Sequence, residues 1–266
     1  MTNKEEPVPL NDQAFIVSAF KQGYRIDGRQ PRDVRALQIV FGQYGQNTVC
    51  FVGFNTIRAI ATVTADLVPP YPDRPSEGFL NFYVELSSMA SPYVEPGRPS
   101  DRAVEISRVV DRGIRDSRAI DVEALCVAAG VKVWSIRVDL HIVDHEGNLV
   151  LGVCTTLLQT DCANLAAVAA LLHFRRPDVT VLGDKITVHP IEDRQPVPLA
   201  MNHIPIAVSF AFLSENGEDF LVDPCLKEEN VSTGMLTITQ NVLGELCAIQ
   251  KPGGVLISVD TVCPCA

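Results

Sequence analysis

The stretch from Asp161 to Phe174 constrains the fold more than any other. Read as a helix it is apolar nearly all round, with Leu165, Ala166, Val168, Ala169, Leu171 and Leu172 leaving little polar face. A helix of that kind has to be buried, so the rest of the chain must supply elements that cover it. Asp161 reads as its cap, and Arg175-Arg176-Pro177 as a cation-rich stop suited to a helix C-terminus.

Strand-like segments lie on either side. Val49 to Phe54 and Ile57 to Val63 flank Asn55-Thr56 as a hairpin, and Phe79 to Leu86 alternates again after a proline-rich break. Val133 to Val143 places Trp134, Ile136, Val138 and Leu140 on one face. Beyond a connector from Pro177 to Pro198 with a short strand in it, Ile206 to Leu213 and Phe220 to Val222 flank the turn Glu215-Asn216-Gly217. Met235 to Thr239, Glu245 to Gln250 and Val255 to Val259 follow as further strands. Two helices complete the pattern. Asn11 to Lys21 is short, with Asn11 or Asp12 as cap, and Asp101 to Arg118 buries Ile106, Val109, Val110 and Ile114 on one face. Both halves thus pair strands with a helix, the plan of an α+β protein with two similar lobes. The segments divide as an N-terminal helix and arm (1–30), a first lobe (31–176) and a second lobe (190–262).

Composition narrows the function. Apolar residues make up 47% of the 266-residue chain and charged residues 20%, as in a globular protein. The formal charge of -10 argues against a free-standing nucleic-acid binder, so any RNA contact needs a local basic cluster or a partner's charge. The N-terminus is expected to carry no secretory signal, and no membrane partner is expected, since no run of about 18 apolar residues occurs. Eight cysteines (50, 126, 154, 162, 225, 247, 263 and 265) never form C-x-x-C, and no H-E-x-x-H, Walker loop or G-x-S-x-G elbow is present. No metal and no cofactor is expected.

Two clusters remain. Arg98, Arg102, Arg108, Arg112 and Arg115 gather within 18 residues of an acidic chain. Arginine suits phosphate because its planar fork donates two parallel hydrogen bonds. From charge alone, a solvated face paired with Asp101, Glu105, Asp111 and Asp116 is the favoured reading, since such pairs are common and weak. Asp223, Glu228 and Glu229 follow the strand Phe220 to Val222, where carboxylates can hold a metal, act as acid or base, or simply face solvent in a turn.

Arg25-Ile-Asp-Gly-Arg-Gln30 resembles the opening R-x-D-G-R signature of RNase PH-like proteins. Glu95-Pro-Gly-Arg98, Ile120 to Cys126, Lys132-Val-Trp134, Ile136 to His141, His173 to Asp178, Pro196-Val-Pro198 and Val222-Asp-Pro224 resemble, in order, a ring subunit of the eukaryotic RNA exosome. The resemblance implies an RNase PH-like (ribosomal protein S5 domain 2-like) fold in a six-membered ring with a central channel. It implies other RNase PH-like ring subunits, S1/KH-type cap subunits and RNA as partners. It also implies residence in nucleus and nucleolus with a cytoplasmic share. Active members cleave RNA from the 3′ end with phosphate, using arginines, a Gly-Thr-Arg turn and an acidic pair near the second lobe's strand.

The chain departs from that pattern. The turn that should offer Thr-Arg reads Gly147-Asn148-Leu149-Val150, and leucine donates nothing to an oxyanion. Asp223 matches the first family carboxylate, while the second falls around Glu228-Glu229-Asn230. The reading is therefore a degenerate site (Asp223, Glu228, Glu229) in a subunit without catalysis, the alternative being an active phosphorolytic 3′-to-5′ exoribonuclease. Arg102 and Arg108 match the arginine-bearing helix of active members, which favours RNA contact by that helix. Leu151 to Thr160 reads as an inserted segment, and the helix that covers the second sheet in relatives is expected to be missing after Ala266, leaving apolar sheet surface exposed.

Overall fold

A computed structural model of the chain describes residues 9–44, 47–54, 57–87, 100–144, 156–182, 185–190, 193–214, 219–254 and 256. The first element, α1 (Leu10–Lys21), is capped by neither Asn11 nor Asp12. Pro9 stands at its entry, and the amides of Asp12 and Gln13 turn back to the Pro9 carbonyl. Proline is tolerated there because the first N–H groups of a helix have no intrahelical acceptor. Ile16 is the residue α1 buries.

The first lobe is a six-stranded sheet of β1 (Leu37–Tyr44), β2 (Asn47–Phe54), β3 (Ile57–Val68), β4 (Phe79–Leu86), β5 (Cys126–Ala128) and β6 (Lys132–Asp144). Its order is β1-β2-β3-β6-β4, with β5 also on β6. Every pairing is antiparallel except β4 with β6. Phe54 stands opposite Ile57, as a hairpin at 55–56 requires, although those two residues lie outside the described set. Period-two alternation puts Ala59, Ala61 and Val63 on the same face as Ile136, Val138 and Leu140, all fully buried.

Between β4 and β5 the chain runs through α2 (Asp101–Asp111), whose N-cap Ser100 accepts a hydrogen bond from the Ala103 amide at 3.1 Å. The helix anticipated through Arg118 is not continuous: Arg112–Asp116 widens into a π-helical turn. Gly113 lets this turn pack closely against its neighbours. A Cβ there would sit 3.3 Å from Thr239 Cγ2 and 3.7 Å from Asn164 Nδ2, on the other lobe and the central helix.

That central helix, α3 (Thr156–His173), is buried as its composition demands. Ala163, Ala166, Ala167 and Ala170 are fully enclosed, and their small side chains let the helix lie close to β2 and β3 on one side and to the second lobe on the other. It begins at Thr156, so Asp161 lies in its second turn and does not cap it. Residues 156–160, anticipated as part of an insertion, are the opening turn of α3; residues 151–155 lie outside the described set.

After α3 come β7 (Arg175–Arg176), β8 (Val179–Leu182), β9 (Lys185–Val188) and β10 (Val197–Pro198). The connector thus carries more strand than anticipated: β8 and β9 form a hairpin, and β7 pairs with β10. The second lobe contains β11 (Ile206–Phe212), β12 (Phe220–Val222), α4 (Leu226–Val231), β13 (Gly234–Gln240) and β14 (Leu246–Gln250), in sheet order β12-β11-β13-β14. Residues 215–218 and 257–266 are outside the described set.

The anticipated bare apolar sheet is not found at its centre. Phe210, Phe212, Leu236 and Ile238 share one face and are at most 4% exposed, and the exposed large apolar side chains on these strands are Ile206 at the start of β11 and Leu246 and Ile249 on the edge strand. The opposite face carries Ala207, Ser209, Ala211, Thr237 and Thr239. Because β12 covers β11 only from Phe210 to Phe212, the amides of Ala207 and Ser209 need other acceptors. α3 supplies them: Asn164 Oδ1 accepts from Ala207 at 3.1 Å and Asp161 Oδ2 from Ser209 at 2.9 Å.

Candidate functional site

Asp223 ends β12 with φ of +51°, a left-handed conformation that aspartate tolerates better than most residues. Its amide donates to the Ser209 carbonyl at 3.2 Å, which turns the side chain into the seam between the second lobe and the N-terminal arm. There it is 4% exposed. Oδ2 accepts from Arg29 Nη1 at 2.7 Å and from the Arg35 amide at 2.8 Å, with Arg35 Nε 3.5 Å away. Oδ1 is buried with no hydrogen-bond partner among the described residues. Burial pushes the Asp223 carboxyl above its ordinary range against the opposing pull of Arg35 and Arg29.

Glu228 is held just as firmly. Arg25 Nε donates to Oε1 at 3.1 Å and Arg25 Nη2 to Oε2 at 2.7 Å, a two-pronged pair. Oε2 also accepts the Cys225 amide at 2.9 Å, closing a capping box at the start of α4. The Arg25 side chain is fully buried and also donates to the carbonyls of Val222 and Asp223. Burial works against its charge, but Glu228, together with Asp27 and Cys225, opposes this and its pKa ends raised. Glu229 is 4% exposed. Gly28, at φ of +79°, makes the tight turn that lets Arg25 and Arg29 face the same seam.

The R-x-D-G-R segment therefore clasps the carboxylates of the second lobe. Neither Asp223 nor Glu228 reaches open solvent as a free acid or base. A further buried acid stands behind them: Asp161 accepts the Ser209 amide and, at 2.8 Å, its hydroxyl. Burial, together with Asp223 and Glu229, drives its pKa well above the ordinary value. Sequence reading found Asp223 and Glu228 but not their three arginine partners, nor the interior role of Asp161. Only the R-x-D-G-R spelling pointed to Arg25 and Arg29, and it carried no information about what they touch.

The arginine face of α2 divides. Arg98 lies outside the described residues, and Arg102 is half-buried and engaged. Arg115 donates to the Leu80 carbonyl at 2.7 Å and pairs with Asp111 at 2.6 Å, tying the π-helical turn to β4. Arg108 and Arg112 are exposed and line a groove of about 430 Å³ together with Asp101, Val104, Glu105, Val109 and Gln250. Arg112 reaches across to Gln250 Oε1 at 3.2 Å, so the groove follows the seam between α2 and β14. Two acidic side chains share it, so its cations are balanced locally. The turn at 147–150, expected from the resemblance to put Leu149 where active members bind phosphate, lies outside the described residues.

Comparison with known proteins gives this geometry a frame. The first domain of the 3′ exoribonuclease family, RNase PH, matches residues 33–177, and the second domain matches residues 203–266. The Bos taurus protein named exosome complex component RRP45 is 45% identical over 264 residues, which cover 99% of this chain and 57% of the relative. The Schizosaccharomyces pombe protein named exosome complex component rrp45 is 42% identical over 258 residues, covering 97% and 84%. The chain thus spans little more than half the length of its mammalian relatives. Among solved structures, an Archaeoglobus fulgidus exosome with RNA bound to the active site superposes with a TM-score of 0.77 at 30% identity, covering 96% of this chain and 92% of that one.

Proposed function

Because the chain belongs to the 3′ exoribonuclease family of RNase PH, we propose that it is a ring subunit of an RNA exosome that guides RNA without cleaving it. The observation that carries this reading is the clasp: Arg25, Arg29 and Arg35 occupy the carboxylates of Glu228 and Asp223. General acid–base work needs a carboxyl within hydrogen-bond reach of the substrate, and these two face arginines inside the seam. Leu149 adds to the argument, because a side chain without a donor cannot stabilise a phosphoryl oxygen. Removing one such contact typically costs about a hundred- to a thousandfold in rate.

RNA contact is assigned to Arg108 and Arg112 along the α2–β14 groove. The two arginines offer guanidinium donors to phosphate there, and the positive field of the channel is left to neighbouring subunits, since Asp101 and Glu105 balance these cations locally. The partners proposed are other RNase PH-like ring subunits, S1/KH-type cap subunits and RNA. Residence in nucleus and nucleolus with a cytoplasmic share goes with the same resemblance.

The test is made on the assembled ring. Reversing both charges (Arg108→Glu with Arg112→Glu) should shorten or weaken RNA protection and flatten its salt dependence; unaltered protection would defeat the RNA-contact reading. Incubation of the ring with RNA and inorganic phosphate should release no nucleoside diphosphate attributable to this subunit. Release that Asp223→Ala abolishes while the ring stays assembled would make the chain an active phosphorolytic enzyme.

A further inference from the structure

A second cleft, of about 180 Å³, opens where the connector meets the first sheet, and none of the clasp residues lines it. Its walls are mainly aliphatic: Val127 of β5, Val179 and Val181 of β8, and Val197 of β10, with Trp134 of β6 among them. One cation stands among them. The half-buried Arg176 guanidinium has five N–H groups and makes one hydrogen bond among the described residues, from Nη1 to the Ala124 carbonyl at 3.2 Å. The carboxylate that also lines the cleft, Asp178, is already engaged by Arg194 at 2.9 Å and by the Val179 amide. Burial lowers the pKa of Arg176, Asp178 only partly opposing it. From Val181, 40% exposed, the aliphatic surface runs on along the hairpin into solvent, with Leu182 75% and Val188 45% exposed.

We propose that this cleft docks an extended segment of a partner protein in which one glutamate or aspartate is flanked by aliphatic residues. The carboxylate meets the open donors of Arg176, an aliphatic side chain enters between Trp134 and Val197, and the flanking residues lie over Val181 and Leu182. A desolvated guanidinium with open donors selects a planar carboxylate, which it can hold through two parallel bonds. The walls select aliphatic neighbours. A nucleic-acid strand fits poorly, because its recognition needs several cations or exposed aromatic platforms, and among the described residues Arg176 is the one cation lining the cleft. A second copy of this chain is disfavoured by its charge of -10.

The chain contains a single tryptophan, and Trp134 lines the cleft, so its fluorescence reports occupancy directly. The probe is an acetylated, amidated peptide Leu-Val-Glu-Val-Leu, titrated into the full chain. A saturable change in emission is expected, with affinity at least about tenfold weaker for the glutamine counterpart and for Arg176→Gln, in line with loss of a charge-assisted bond. Because Arg176 also bonds Ala124, a second variant, Val181→Asp, places a repelling charge at an exposed position and should weaken binding comparably while leaving the emission of the free protein unchanged. Equal binding of the glutamate and glutamine peptides, or indifference to both variants, would overturn the proposal. So would saturation by 4-methylpentanoate with no response to the peptide, which would make the cleft a small-carboxylate site.

Discussion

Asp161 is enclosed between α3 and β11, with both carboxylate oxygens accepting from Ser209, and its pKa is raised well above 3.8 by burial first and by Asp223 and Glu229 second. A carboxyl whose folded pKa exceeds its unfolded one binds protons more tightly in the native state, so stability is greatest below the unfolded value. It falls as pH rises from about 3.8 through the raised pKa. Asp161→Asn removes this contribution while its amide oxygen can still accept from the Ser209 amide. The decline in urea midpoint from acid to neutral pH should therefore be shallower in Asp161→Asn than in the parent. Asp223 shifts in the same direction and remains in both proteins, so some decline persists. Parallel pH profiles for the two would show that Asp161 is not buried as a titrating acid.

At the scale of elements, the N-terminal arm and α4 are held together by a buried ion pair. Arg25 and Glu228 have side chains 0% and 2% exposed. Forming such a pair yields little net stability, but removing one partner leaves an uncompensated charge and costs about 3–5 kcal/mol. Glu228→Ala should lower unfolding stability by that order and expose the arm to proteolysis near Arg25. A loss below about 1 kcal/mol, the range of an exposed pair, would mean that the clasp contributes nothing to the fold. The ion pair ties the signature segment to a lobe that it never adjoins in sequence.

For the whole molecule, the two lobes meet where α3 and the π-helical turn face β11 and β13. Gly113 sets the closeness of that contact, since an added Cβ already stands 3.3 Å from Thr239. Gly113→Val should push the turn off β13 and raise hydrogen exchange at Thr237 and Thr239, whose protection otherwise reflects lobe docking. Unchanged exchange there would show that the lobes adjust without strain.

What the sequence by itself determined is what local periodicity can carry. Strands alternate because β geometry repeats every two residues, so β3, β4, β6 and β11 were legible, and β6 with its buried face as well. The all-apolar span became α3 because no polar side was available to meet water. The likeness of scattered segments was enough to identify the family. Tertiary structure alone decided what each polar group does. Arg25 and Glu228 stand 203 residues apart, and nothing in either neighbourhood announces the other. Asp161 looked like a cap because a carboxylate before an apolar run usually is one, and only the unpaired edge of β11 turned it inward. Arg115 and Arg108 belong to one cluster in sequence, yet the carbonyl of Leu80 claims the first and open groove surrounds the second. Period is a property of a segment, whereas hydrogen-bond partners are set by which distant segments share a seam.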